Sequence, residues 1–248
     1  MSTPASGIFI TKGMTVSVPE FSISINENGE LVPDEVTIHT GLDMCPYWLE
    51  IAYDHLVKTE DIHNQLMSAK KANDETLMGD LLGQEFVSGM QTIMAGCIAF
   101  DSYYASIKDF SGVPESLRKK WKEKGTARYK QIAETLRRTF VIHKDTFKNL
   151  LKFLNQSFKL RDMAVHPKYG TDKPVLYPEV NIISDWRYSA FRYANAKAVV
   201  GSSLNIIYQT ASQKKDDKKK ELKGYCENLL IKLAPTLFKW EERYGKLF

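Results

Sequence analysis

Cysteine is scarce in this 248-residue chain. The three that occur, Cys45, Cys97 and Cys226, are odd in number, far apart and never in a Cys-x-x-Cys pair, which argues against a disulfide scaffold or a zinc ribbon and for a reducing compartment. Long apolar runs are missing too. The longest uncharged apolar stretch, Ile93 to Phe100, falls far short of the roughly 20 residues a membrane helix needs. The opening MSTPASGIFITKGMTV lacks a charged segment followed by an apolar one. These absences predict a soluble, cytoplasmic protein without membrane contact.

Several chemical signatures are also lacking. There is no phosphate loop, no GxGxxG after a strand, no GxSxG elbow, no HExxH and no kinase set, so most familiar enzyme classes lose support. Of five histidines, His39, His55, His63 and His143 stand without a Cys or second His at metal-ligand spacing and read as structural. No metal site and no cofactor is expected.

Charge is ordinary in amount, with 34 basic and 30 acidic residues, but unevenly spread. Residues 1 to 60 hold nine acidic side chains against Lys12 and Lys58, so the surplus of positive charge lies in the rest of the chain. Its densest piece, Glu115 to Arg138, carries Arg118, Lys119, Lys120, Lys122, Lys124, Arg128, Lys130, Arg137 and Arg138 against three Glu. Such a run is either a solvated helix face or a surface that concentrates phosphate, and here an RNA-binding role is assigned to Arg118, Lys119, Lys120, Lys122, Arg128 and Lys130. A second run, Lys214 to Lys223, reads as an exposed turn into a helix.

The first 40 residues alternate in the manner of strands, at Thr15 to Val18, Phe21 to Ile25 and Val36 to Thr40, with Asn26 to Gly29 as a turn. From Pro46 the period becomes helical, with Trp48, Ile51, Ala52 and His55 on a first short helix. A long helix is predicted from about Asp74 to Lys108, where Phe86, Met90, Ile93, Cys97, Phe100, Tyr104 and Ile107 make an apolar stripe and Gly89 and Gly96 admit a close neighbour. Further helices are expected over Glu115 to Phe140, from His143 to near His166, from Ser184 to about Ala211, and over Lys218 to Tyr244 with a bend at Pro235. Residues 167 to 183 read as a surface loop. The fold class is mainly α with a small N-terminal β appendage.

One segment concentrates chemistry. In Leu160-Arg161-Asp162-Met163-Ala164-Val165-His166-Pro167, Asp162 and His166 are four apart and share a helix face, with Arg161 beside them. A carboxylate one turn below an imidazole can orient it, and arginine offers a planar fork for phosphate oxygens. His with Arg suffices in principle for metal-independent cleavage of RNA, the imidazole moving a proton while the guanidinium stabilises the charged phosphorane. Two lesser candidates lie on the long helix: Asp101, expected to pair with an arginine such as Arg137 or Arg138, and Tyr103 with Tyr104, which could stack a base or pack in the core.

Arg161, Asp162 and His166 fit the pattern of Arg, a polar residue, three of any kind, then His, and this resembles the signature of the HEPN superfamily. The AFDSYYASIK and KQIAETLRRTF segments look like the bundle helices that precede the motif. The resemblance implies a HEPN-like helical bundle over residues 45 to 212; the acidic β appendage (1 to 44) and a C-terminal helix packed on the bundle (213 to 248), both read from the sequence pattern, lie outside it. It further implies a homodimer with a composite cleft and an RNA-directed activity, a metal-independent endoribonuclease of a defence or toxin-antitoxin type, with Arg161, Asp162 and His166 as catalytic residues. The alternative is a catalytically inactive HEPN-like module for dimerisation or for a protein partner, held through the acidic N-terminal segment.

Overall fold

The computed structural model describes residues 7–11, 13–19, 22–33, 37–166, 172–213 and 220–247. The expectations at Phe21, at Val36, for the run at 214–219 and for the first part of the loop at 167–171 lie outside the described residues. The chain divides into two compact units, Met1–Asp43 and Met44–Phe248.

The first unit is a pair of two-stranded antiparallel ribbons. β1 (Met14–Ser17) pairs with β4 (His39–Leu42), and β2 (Ile23–Ile25) pairs with β3 (Leu31–Pro33). The β2–β3 turn is held by the Asn26 side chain, whose Oδ1 accepts from the backbone N–H of Asn28 (3.0 Å) and Glu30 (2.9 Å), and Gly29 takes the positive φ of 79° that the turn needs. Alternation places Met14, Val16 and Leu42 on one face of the first ribbon and Ile23, Ile25 and Leu31 on one face of the second. Among the described residues of this unit none is buried.

The second unit is mainly helical. α1 (Cys45–Ala72) runs 28 residues where a short helix was expected. Its inner face continues past the apolar residues through Thr59, which is fully buried and hydrogen-bonds the Ser88 hydroxyl at 2.9 Å, so burial there does not register as hydrophobic periodicity. Asn73, in the left-handed region at φ 53°, ends α1, and the Asp74 carboxylate caps α2 (Glu75–Ile107) by accepting from Leu77 N–H at 3.0 Å.

Instead of one helix from Glu115 to Phe140, the structure has α3 (Glu115–Glu123) and α4 (Arg128–Thr139), separated at Gly125, whose φ of 57° no helix tolerates. α5 (Lys144–Val165) follows, and His166 leaves helical geometry at its C-terminal end. The expected surface loop contains a hairpin, β5 (Val175–Tyr177) with β6 (Ile182–Ser184), and Tyr177 and Val180 are buried against Ile62, Leu66 and Leu81. Ser184 ends that strand. Asp185 is the cap of a short α6 (Trp186–Ala190), which breaks at Phe191 before α7 (Tyr193–Ala211). α8 (Lys220–Tyr244) keeps Pro235 inside it.

α1 and α2 form the central antiparallel pair, with α7 against both, α4 and α5 against α2, and α8 against α1 and α7. The close neighbours admitted by glycine are the break between α6 and α7 and α7 itself: a Cβ on Gly89 would meet the carbonyl oxygen of Phe191, and one on Gly96 would press on Val199. No helix among the described residues is long and apolar enough to cross a membrane.

Candidate functional site

The last two turns of α5 carry Phe158, Lys159, Arg161, Asp162 and, just past the helix end, His166. They line a cleft of about 920 Å³ with Arg128 and Tyr129 of α4, Lys173, and Trp186 and Arg187 of α6. The three residues singled out in sequence thus share one accessible space, and Asp162 and His166 are both exposed.

Arg161 is the most constrained of them. Its guanidinium lies 4.4 Å from the centre of the Phe158 ring, one turn back on the same helix. Nη1 donates to Asp101 Oδ2 at 2.8 Å, while Nε and Nη2 both donate to Asp162 Oδ1, at 3.1 and 2.9 Å. Asp101, on α2, also accepts from Arg128 Nε at 2.6 Å, so one carboxylate aims two arginines at the cleft. Arg128 rests over the Tyr104 ring at 4.2 Å.

Asp101 does pair with arginine, but the arginines are Arg128 and Arg161 and not Arg137 or Arg138. Arg137 and Arg138 both bind Glu134, each at 2.7 Å. The break at Gly125 is the reason, because it starts α4 at Arg128 and brings that residue, not the far end of the helix, over Asp101. The Arg137 hydrogen bond holds the Glu134 carboxyl below its ordinary range. Tyr103 is fully buried, with its hydroxyl 3.0 Å from Thr210, and is unable to stack a base. Tyr104 serves Arg128 instead.

Asp162 binds Arg161, and among the described residues no hydrogen bond joins its carboxylate to the His166 ring; the two are linked through the backbone, His166 N–H donating to the Asp162 carbonyl at 2.8 Å. Of the basic residues assigned to RNA, Arg128 lines the cleft. Arg118 is tied to Asp109 at 3.1 Å, while Lys119, Lys120, Lys122 and Lys130 are exposed on α3 and α4 and do not line it. Cys97, buried beneath Arg161, has its thiol pushed up to about 12 by burial and is no nucleophile at neutral pH.

Sequence reasoning missed Lys159, Lys173, Trp186 and Arg187. The Trp186 indole N–H donates to Asp172 at 2.8 Å, a contact between segments that share no sequence motif, and the neighbouring Arg187 covers the Trp186 ring at 4.7 Å. Among the described residues no group of three or more His, Cys, Asp or Glu could hold a metal ion.

A second polar cluster lies elsewhere. Glu85, whose side chain is 1% exposed, accepts from Tyr177 Oη at 2.8 Å and the Tyr193 backbone N–H at 2.8 Å, and it pairs with His63 Nδ1 at 3.1 Å. That hydrogen bond raises the His63 pKa above its ordinary value against the effect of burial, and burial, reinforced by Glu85, raises the Tyr177 hydroxyl. Every partner belongs to the chain's own core helices and hairpin, so the cluster fastens α1, α2, β5 and α7 together.

Fold and site define a mainly helical protein with an accessible cationic cleft at the C-terminal end of one helix. No protein-family model matches the chain, and no curated protein or solved structure matches it.

Proposed function

We propose that the protein binds RNA in the α5 cleft and cleaves it without a metal, as a HEPN-like endoribonuclease. The observation that carries this reading is the meeting of Arg161, His166, Arg128, Lys159 and Lys173 in one cleft open to solvent. Arg161 is held ready by Asp101 and Phe158, and such preorganised charge is the larger part of electrostatic catalysis.

In the reaction the 2′-oxygen forms a bond to phosphorus while the bond from phosphorus to the 5′-oxygen breaks, giving a 2′,3′-cyclic phosphate and a 5′-hydroxyl. One imidazole takes the 2′-hydroxyl proton and one acid protonates the departing oxygen. His166 fills one role, and a second copy of the chain in the homodimer that the resemblance implies fills the other. Arg161 binds the phosphate and the charge that develops on it. The lysines and the exposed basic residues of α3 guide the backbone.

The test is incubation of wild-type, Arg161→Ala and His166→Ala protein with mixed-sequence single-stranded RNA in EDTA, with analysis of the product ends. Cyclic phosphate ends from the wild type, lost in both variants that still melt as the wild type does, are the expected result. Cleavage by either variant sinks the assignment.

A second reading is a non-catalytic interaction module. The uncovered apolar residues of the N-terminal unit favour it, Phe9 being 86% and Ile25 69% exposed within an acidic segment. A protein partner with an apolar surface edged by basic residues fits that chemistry. This reading expects no cleavage of any RNA, and loss of partner capture when residues 1 to 40 are deleted.

A further inference from the structure

We infer that Asp162 is a resident anion of the cleft, a carboxylate that occupies the phosphate-facing edge of Arg161 in the free protein and is displaced when a phosphodiester binds. The inference rests on reading the cleft as a phosphodiester site.

Arg161 meets its two carboxylates differently. Asp101 takes the Nη1 end, and because Asp101 is also bound by Arg128, the contact is fixed from two sides. Asp162 takes the Nε and Nη2 edge, the edge whose two parallel N–H groups match two oxygens of one phosphate. Both N–H groups converge on a single oxygen, Oδ1, so the fork is used below its capacity. An anion that offers two oxygens at the right separation makes the better partner.

Exposure separates the two acids in the same way. The Asp162 side chain is 59% exposed and Asp101 27%, with Arg161 at 21%. An ion pair as open as Arg161–Asp162 contributes little, so the carboxylate swings into water readily, while Asp101 and the Phe158 ring keep the guanidinium aimed.

The place of Asp162 in its helix gives the independent argument. It sits in the last turn of α5, where the helix dipole disfavours negative charge, and no basic residue stands in that turn. Neighbouring residues on a helix do not ordinarily face each other, yet these two are joined by two hydrogen bonds. Helix stability therefore does not account for a carboxylate here, and neither does orientation of His166, to whose ring it makes no hydrogen bond among the described residues. What it does is guard Arg161. Chloride and single-point carboxylates gain nothing by displacing it, whereas a phosphodiester does, so the contact selects for two-oxygen anions.

The experiment measures binding of a fluorescein-labelled, 2′-O-methylated single-stranded RNA, which resists cleavage, by anisotropy in EDTA at near-physiological salt. Wild type is compared with Asp162→Asn, Asp172→Asn, Arg161→Ala and the Arg161→Ala/Asp162→Asn double variant, each checked for an unchanged helical spectrum. Asp172→Asn removes the same charge from the same cleft without touching Arg161. The inference expects Asp162→Asn to bind about tenfold tighter, Asp172→Asn to change binding by less than about threefold, and the gain to vanish in the Arg161→Ala background. An equal gain from Asp172→Asn, or one that survives the loss of Arg161, reduces the effect to bulk charge and overturns the inference. Weaker binding by Asp162→Asn overturns it as well, since an orienting or structural residue behaves that way. Absence of binding by wild type and Asp162→Asn alike would instead overturn the phosphodiester reading itself, and the inference with it.

Discussion

Removing the Glu85 carboxyl is the sharpest test of what holds the helical unit together. Glu85→Ala strands the buried Tyr177 hydroxyl and the partly buried Tyr193 N–H, and leaves His63 without its partner. An unsatisfied buried donor costs about 1 to 3 kcal/mol, so two of them with a small cavity amount to about 4 kcal/mol. Glu85→Gln is a different perturbation. Its carbonyl oxygen can keep the two bonds that Oε1 receives, from Tyr193 N–H and His63, while its amide donates to the Tyr177 hydroxyl, which turns to accept. Lost are the pairing with a charged His63 and the acceptor of the Tyr177 O–H, together about 2 kcal/mol. For a unit of this size each kcal/mol moves Tm by about 2 to 4 °C, so Ala should fall by about 8 to 16 °C and Gln by about 4 to 8 °C. Urea and thermal unfolding followed by far-ultraviolet circular dichroism measure both. An Ala variant within about 1 kcal/mol of wild type, or a Gln variant as damaged as Ala, would refute the reasoning.

The same cluster makes stability depend on pH. The His63 pKa is raised in the folded state by its hydrogen bond to Glu85, so its contribution is complete below the ordinary value of 6.5 and is lost as pH rises through the raised one. The stability difference between wild type and His63→Gln should therefore shrink from mildly acidic to alkaline pH, and a flat difference across that range counts against it. Gly89→Ala gains helix propensity of about 1 kcal/mol but drives a Cβ into the Phe191 carbonyl oxygen, so a net loss of about 3 kcal/mol in unfolding titrations is expected, whereas Gly79→Ala, with nothing within 4 Å, should stabilise.

How much of this was legible in sequence varies by element. α2 was plain from end to end because its cap, Asp74, and its apolar stripe are local signals, and the Arg161 to His166 segment was found because three reactive side chains sit within two turns of one helix. The length of α1 was hidden because its inner face is partly polar: Thr59 and His63 are satisfied by Ser88 and Glu85, partners that no local window contains. The break between α3 and α4 rests on one left-handed glycine in a lysine-rich stretch whose composition favours a helix. The buried hairpin at Tyr177 was masked by its prolines and glycine. The far wall of the cleft, Lys173 with Trp186 and Arg187, joins the motif only through tertiary folding. Asp101 was recognised as needing an arginine, but which arginine depended on that same unseen break.

The acids around the cleft explain how its charges divide their work. Arg128 and Arg161 are bound by Asp101, Arg161 again by Asp162, and Arg187 by Asp185 at 2.8 Å, so each arginine on the wall already has a carboxylate partner. Paired in this way they exert little pull beyond a Debye length of about 8 Å at physiological salt. Lys159 and Lys173 line the same cleft and carry no carboxylate partner among the described residues. Long-range attraction of a polyanion therefore falls to the lysines and to the exposed basic residues of α3, and it is strongly screened by salt. On the reading proposed above, discrimination falls to Arg161, which Asp101 keeps aimed and whose Asp162 partner yields only to an anion that matches two N–H groups at once.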